Sequence, residues 1–211
     1  MSAQSRLALI ATGAVTLLAA LPLIAAPASS PAAAPAPAQA AANATTYEID
    51  DVHSAAFFRV QHLGAGQFWG RINDISGSFT TAGSGPEGVS FDITVKVDSI
   101  DTGTKKLDDH LRSPDFFNTK EFPAMTFKST GVKKGANGLE LTGDFTMRGV
   151  TKPITAALEF TGQKAGQMGD RAGYEAIFTI KRADFGVNYG VENGSLGNDV
   201  RIVVNLEGVK K

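Results

Sequence analysis

Residues 89–97 read VSFDITVKV, and this stretch decides the fold class. Its five odd-numbered positions are all apolar, and its four even-numbered positions are all polar. Successive side chains of a β-strand point to opposite faces, so this strict alternation predicts a strand with one buried side and one solvent-facing side. An amphipathic helix would instead need apolar residues at spacings of three and four.

The same alternation recurs along the chain. Further strands are predicted at 139–147, 154–160, 174–180 and 200–206, and near 47–62, 66–80 and 123–133. Glycine-containing connections such as Asn193-Gly194 separate these stretches and are typical of short antiparallel turns. About eight strands, each with one apolar face, can bury those faces as a sandwich or as a closed barrel. The pattern predicts an all-β, antiparallel fold and leaves those two architectures open.

One segment departs from the alternation. Within residues 104–112, Leu107 and Leu111 lie four positions apart among charged residues, which predicts a single short helix. Thr104 is suited to the N-cap of that helix because a threonine hydroxyl can accept a hydrogen bond from the first turn. The two phenylalanines at 116–117 follow the helix, and we expect them to plug one end of the sheet.

The N-terminal part of the chain differs in composition from the rest. Its only charged side chain is Arg6, which precedes an apolar run and then a stretch dominated by Ala and Pro. We interpret residues 1–26 as a secretory signal peptide, 27–44 as a spacer and 45–211 as the folded domain. Cleavage could fall as late as residue 42. An uncleaved membrane anchor is disfavoured because the run is short and only weakly apolar.

Composition excludes several classes of function. The chain carries 20 Lys and Arg residues against 21 Asp and Glu residues, so it has no basic surplus for nucleic acid or for an anionic membrane surface. It contains no cysteine, which excludes disulfides, a thiol nucleophile and a thiolate metal site. The signal peptide predicts a periplasmic or secreted protein whose fold depends on its apolar core alone.

The three histidines are the residues to consider for a metal or for catalysis. His53 and His62 lie nine positions apart on what reads as one strand, so they should point to opposite faces. His110 lies beside Asp109 on the predicted helix, and adjacent helical residues do not share a face. We therefore expect no three metal ligands to converge and no metal or cofactor to be required. Motifs of nucleophilic, zinc-dependent or nucleotide-dependent enzymes are absent, so we expect a protein that is not an enzyme.

His62 is the most informative of the three. It shares a strand face with Phe58 and Val60, so it can end an apolar row and meet the polar head group of an apolar ligand. Alternatively, the strand has already reached solvent at this point. The sequence does not decide between these two interpretations.

Several motifs, taken in order, resemble the YceI-like family of bacterial polyisoprenoid-binding proteins from about Tyr47 to the C-terminus. The most distinctive is DHLRSPDFF at 109–117. The others are HS at 53–54, HLG at 62–64, GR at 70–71, SIDTG at 99–103, FPAMTFKST at 122–130, RGVTKP at 148–153 and RADFGV at 182–187.

The resemblance implies a single lipocalin-like antiparallel β-barrel with a long apolar pore. It also implies a bound isoprenoid chain, such as a polyprenyl lipid or an isoprenoid quinone, and a periplasmic or secreted location. Phe57, Phe58 and Phe145 are bulkier than is usual in the family and are expected to narrow the pore. The apolar strand faces should then line it, and the expected lining residues are Phe58, Val60, Phe91, Ile93, Val95, Leu141, Phe145, Met147, Leu158, Phe160, Phe178, Ile202 and Val204. His62 is the expected head-group contact.

Three functional hypotheses follow. The first is a binding protein that carries or sequesters an isoprenoid lipid. The second is an accessory protein that hands a quinone to a membrane redox partner. The third is an enzyme acting on an isoprenoid lipid, with His62 or His110 as acid or base.

Overall fold

Residues 44–82 and 85–211, the part of the chain that the computed structural model describes, form nine β-strands, one α-helix and two single-turn 3-10 helices. The strands are β1 (Thr45–Ile49), β2 (Ala55–His62), β3 (Gly66–Thr81), β4 (Val89–Asp101), β5 (Ala124–Gly135), β6 (Gly138–Met147), β7 (Val150–Lys164), β8 (Arg171–Lys181) and β9 (Leu196–Lys210). Helix α1 spans Lys105–Arg112, and the 3-10 helices span Pro86–Gly88 and Arg182–Phe185. The predicted signal peptide and all but the last residue of the predicted spacer lie outside these residues.

The strands close into a barrel. Each is antiparallel to its neighbours in the order β1-β3-β2-β9-β8-β7-β6-β5-β4, and pairing of β3 with β4 closes the sheet. Strands β1 and β2 both lie between β3 and β9, so together they act as one interrupted strand. The fold is therefore a closed antiparallel barrel of eight strand positions with one helix, as the resemblance implied. No helix among the described residues is long and apolar enough to cross a membrane.

The prediction of one strand at 47–62 is wrong, because the chain leaves the sheet between β1 and β2. The carboxylate of Asp50 accepts a hydrogen bond from the backbone N–H of Val52 at 3.1 Å and contacts His53 Nδ1 at 2.9 Å. Asp commonly stabilises such a turn by bonding to backbone two residues ahead. His53 thus lies in a turn, and the argument that it and His62 share one strand fails.

The buried apolar side chains form two clusters, one at each end of the barrel. At one end, here called the aromatic end, the rings of Tyr47, Phe79, Phe91 and Tyr174 pack with centroids 5.0–5.8 Å apart. The other cluster lies beside α1 and the 3-10 helix Arg182–Phe185 and defines the helical end. Three partly buried side chains contact both clusters, namely Val95, Phe127 and Phe178.

Helix α1 begins one residue after Thr104, as predicted, but the Thr104 side chain makes no capping bond. The carboxylate of Asp108 instead accepts hydrogen bonds from the backbone N–H of Thr102 at 2.8 Å and from its hydroxyl at 2.7 Å. The Arg112 guanidinium donates to the carbonyl oxygens of Asp98 and Ile100 on β4. These bonds hold the helix against the end of the barrel.

Candidate functional site

The barrel contains a cavity of about 160 Å³, with wall residues contributed by every strand from β2 to β9. Within the described part of the chain, only Thr126, Tyr174 and Arg182 among its wall residues carry polar groups. Burial raises the pKa of Tyr174 to about 12, so its phenol is neutral at physiological pH. The site is therefore almost entirely apolar.

The partial exposure of the inward-facing side chains shows that the interior of the barrel is hollow. Phe58, Val60, Phe178, Ile202 and Val204 lie in the cavity wall, yet each is only partly buried. A close-packed interior would bury such side chains completely. Here they border empty space inside the barrel, as expected of an eight-stranded barrel that can hold one slender ligand.

The structure brings together twelve of the thirteen side chains that we expected to line the pore. The twelve in the cavity wall are Phe58, Val60, Phe91, Ile93, Val95, Leu141, Phe145, Met147, Leu158, Phe178, Ile202 and Val204. That they contact a ligand remains a prediction.

Phe160 is the exception, and its expected position in the pore is wrong. It is 40% exposed and lies outside the cavity wall. Phe160 pairs across the sheet with Tyr174, and its ring packs against the Tyr174 ring with centroids 5.2 Å apart. Since the aromatic cluster already closes this end, Phe160 lies beyond it, where the pairing of β7 with β8 also shifts register.

His62 does not lie in the cavity wall either. It is exposed at the end of β2, paired with Gly66 across the hairpin. Of the two interpretations left open by the sequence, a strand end that has reached solvent matches this position. The expected contact of His62 with a ligand head group stays a prediction, and the position of His62 outside the cavity wall does not favour it.

Sequence reasoning left out several further wall residues, some on strands and some outside them. Met125 and Phe127 on β5 also alternate with polar neighbours, so their pattern could have identified them. The residues outside the strands come from α1 and the connections, where no two-residue period exists to reveal them: Leu111, Phe116, Phe117 and Val187.

Arg182 is the one charged side chain of the described cavity wall, and it is only 5% exposed. Its guanidinium donates to the backbone carbonyls of Gly197 at 2.8 Å, Val187 at 3.0 Å and Leu196 at 3.3 Å. Burial lowers the pKa of Arg182. Since all three guanidinium nitrogens of Arg182 donate to backbone carbonyls, only its aliphatic stem is left to contact a ligand in the cavity.

A second polar cluster lies where the chain turns from β1 to β2. Atoms of Asp50, His53 and Glu207 approach within 4.8 Å of one another, so our expectation that no three metal ligands converge is wrong. The Arg171 guanidinium donates to Asp50 at 2.6 Å and also to Glu207. Bonds from Arg171 and then His53 lower the pKa of Asp50 to about 2. Arg171 already supplies the positive charge that a metal ion would otherwise bring to these carboxylates.

A closed antiparallel barrel around a hollow apolar interior is the architecture of barrels that bind small apolar molecules. The family model described as a YceI-like domain matches residues 47–208, and the chain belongs to the YceI-like family. Protein YceI of Escherichia coli O17:K52:H18 is 39% identical over 171 residues, which cover 80% of this chain and 88% of that protein. A UPF0312 protein of Pseudomonas aeruginosa is 38% identical over the same shares of both chains.

Solved structures show the same fold. The YCEI protein of Campylobacter jejuni aligns with a TM-score of 0.64 and 29% identity, covering 72% of this chain and 90% of that one. BcnA of Burkholderia cenocepacia aligns with a TM-score of 0.66 and 22% identity, over 75% and 98%. A polyisoprenoid binding domain from Saccharophagus degradans aligns with a TM-score of 0.59 and 17% identity, over 78% and 98%.

Proposed function

We propose that this protein binds an isoprenoid lipid, a polyprenyl lipid or an isoprenoid quinone, inside the barrel and carries or sequesters it. The observation that supports this most strongly is the ring of inward-facing apolar side chains that remain only partly buried because the interior is hollow. Filling that space with a hydrocarbon chain removes apolar surface of both partners from water, which favours binding.

The shape of the cavity supports a slender ligand. Six residue steps along β8, from Tyr174 to Ile180, carry the wall roughly 20 Å along the tilted strand at about 3.3 Å per residue. A volume of about 160 Å³ along such a length leaves a narrow channel. A single hydrocarbon chain matches these proportions better than a fused ring system does. The name of the Saccharophagus degradans domain, a polyisoprenoid binding domain, supports the same class of ligand.

The chemistry of the wall supports binding without conversion. Within the described residues, the wall contains no carboxylate and no imidazole, so it offers no acid–base pair for catalysis. The residues at 1–26, which we interpret as a signal peptide, support a periplasmic or secreted site of action.

Uptake of ligand by the purified protein tests this proposal. The protein is incubated with an isoprenoid quinone in detergent micelles and then separated by gel filtration, and the quinone absorbance in the protein peak is measured. We expect Ala176→Phe, which fills the hollow side of β8, to lower uptake about tenfold or more because the added ring occupies ligand space. Ala157→Phe, on the exposed face of β7, is the matched control. No uptake by the parent protein, or equal uptake by both variants, would contradict the proposal.

A further inference from the structure

The two ends of the cavity differ in how they are closed. At the aromatic end, the stacked rings of Tyr47 and Phe79 are each 1% exposed, with centroids 5.0 Å apart. Both residues belong to strands, where β1 pairs with β3 through consecutive residues. A ligand entering here would have to break both the ring cluster and the barrel ladder.

The helical end is closed by two segments that are not strands. One comprises α1 and the connection to β5 (residues 105–123), and it contributes Phe116 and Phe117 to the cavity wall. The other is the connection that follows the 3-10 helix (residues 186–195), and it contributes Val187. Together these segments cover the end of the channel.

Each segment is fixed to the barrel separately. The Arg148 guanidinium, in the turn between β6 and β7, donates to the carbonyls of Pro114 and Phe116. The Arg182 guanidinium holds the second segment through the carbonyl of Val187. Among the described residues, no hydrogen bond or ion pair joins the two segments to each other.

Both segments contribute to the buried cluster at this end, and a group of three rings joins them at the surface. The Tyr189 ring of the second segment packs against His110 and Phe116 of the first, with centroids 5.1 Å apart in both cases. His110 packs edge-on against Phe116 at 5.0 Å, and its Nε2 lies 2.9 Å from a carboxylate oxygen of Asp115. Tyr189 is 48% exposed and lies outside the cavity wall, whereas Phe116 is in the wall and 7% exposed. Tyr189 thus covers a wall residue from outside.

We propose that the helical end is the portal through which the ligand enters and leaves, and that the contact of Tyr189 with His110 and Phe116 is the gate that must open. This inference rests on the proposed function, because a portal requires a cavity that exchanges its ligand. Opening breaks the Tyr189 ring contacts and loosens the buried packing of the cluster that holds Leu111, Phe116 and Val187, but it breaks no backbone ladder, so it costs less than opening the aromatic end. The gate sets the rate of ligand exchange, whereas the residues of the cavity wall set the affinity for the ligand.

Exchange kinetics test the gate. All-trans retinol, a fluorescent isoprenoid alcohol, is bound by the parent protein and by three variants, and association and release are followed by stopped-flow fluorescence. Tyr189→Ala should raise both rate constants roughly tenfold, since two aromatic contacts are lost, with little change in Kd. Tyr189→Phe keeps the ring and should exchange like the parent. Phe160→Ala, which removes an exposed ring at the opposite end, should also leave the rates unchanged.

A reversible cross-link provides an independent measurement. The chain has no cysteine, so His110→Cys with Tyr189→Cys can be joined selectively by a bis-methanethiosulfonate reagent. Exchange should slow when the residues are linked and recover when a reductant releases them. Faster exchange in Phe160→Ala than in Tyr189→Ala, or unchanged exchange after cross-linking, would overturn the portal. Absence of binding of both retinol and a long polyprenol by the parent would overturn the proposed function, and the portal with it.

Discussion

Phe145 on β6 and Phe178 on β8 pack edge-to-face across the intervening strand, with ring centroids 6.0 Å apart. Both rings belong to the cavity wall, and Phe178 contacts the buried clusters at both ends of the barrel. Phe145 also packs against Phe185 of the 3-10 helix at 5.5 Å. The pair therefore extends from the helical-end cluster towards the middle of the channel, and we expect it to limit how wide a ligand can be.

Removing one of these two rings should widen the channel. We expect Phe178→Ala to increase uptake of an apolar ligand with a ring system and to leave uptake of a linear polyprenol nearly unchanged. The cost in stability should be about 1–3 kcal/mol, below that of a fully packed phenylalanine, because Phe178 already borders empty space. Uptake assays with both ligands and a denaturant titration measure these effects. An unchanged preference between the two ligands would show that Phe178 does not limit the width.

A charge in the wall should abolish binding. Leu158 is 6% exposed and faces the cavity, so a carboxylate at this position loses its hydration without gaining a partner. We expect Leu158→Glu to bind an isoprenoid quinone at least about a hundredfold more weakly or to unfold, which circular dichroism would reveal. Ala157→Glu, on the outer face of the same strand, should bind normally. A folded Leu158→Glu variant with normal binding would mean that the strand faces are assigned wrongly.

The alternation of apolar and polar residues predicts those parts of the fold and of the candidate site that lie on regular strands. A two-residue period identifies a buried face wherever a strand is regular, and twelve of the predicted wall residues lie on such faces. It fails where the strand continues past the channel, as at Phe160, and where no strand exists, as at Phe116 and Val187. The two-residue period also cannot predict that Glu207 lies beside Asp50, because their proximity depends on the pairing of β1 with β9.

The cluster at the turn between β1 and β2 makes stability depend on pH. The pKa of Asp50 is lowered to about 2 in the folded protein from an ordinary value of 3.8, chiefly by Arg171. The ionised Asp50 carboxylate therefore stabilises the folded protein above pH 4, by about 1–2 kcal/mol for this partly exposed group. This stabilisation is lost as the pH falls towards 2 and the carboxylate becomes protonated. Asp50→Asn should remove that part of the pH dependence of urea unfolding. Asp51→Asn, an exposed neighbour, is the control, and equal profiles for both variants would contradict this role.

His62 provides a test of where the polar end of the ligand lies. Because His62 is exposed and outside the wall, we expect His62→Ala to change the affinity for a polyprenol by less than about twofold, within the cost of one weak hydrogen bond. Isothermal titration calorimetry with the alcohol and with a hydrocarbon of equal length measures this. A loss of about 1–2 kcal/mol for the alcohol alone would restore the head-group role.

Treatment with a chelator distinguishes two roles for the cluster of Asp50, His53 and Glu207: an ion-pair cluster with Arg171, or a metal site. Arg171 already pairs with Asp50 and Glu207, so EDTA should leave both the thermal midpoint and quinone uptake unchanged. A thermal midpoint that falls after chelation and recovers with one added metal ion would show that the cluster at Asp50, His53 and Glu207 binds that ion.

The proposed function requires the hollow barrel to hold an isoprenoid chain. Native mass spectrometry of the protein purified from its own host, followed by extraction and fragmentation of whatever it carries, tests this most directly. We predict one bound molecule per chain, with fragments spaced by the mass of an isoprene unit, and its absence from Leu158→Glu purified in the same way. A parent protein that carries nothing and takes up no isoprenoid, or that carries only molecules without isoprene units, would contradict the claim.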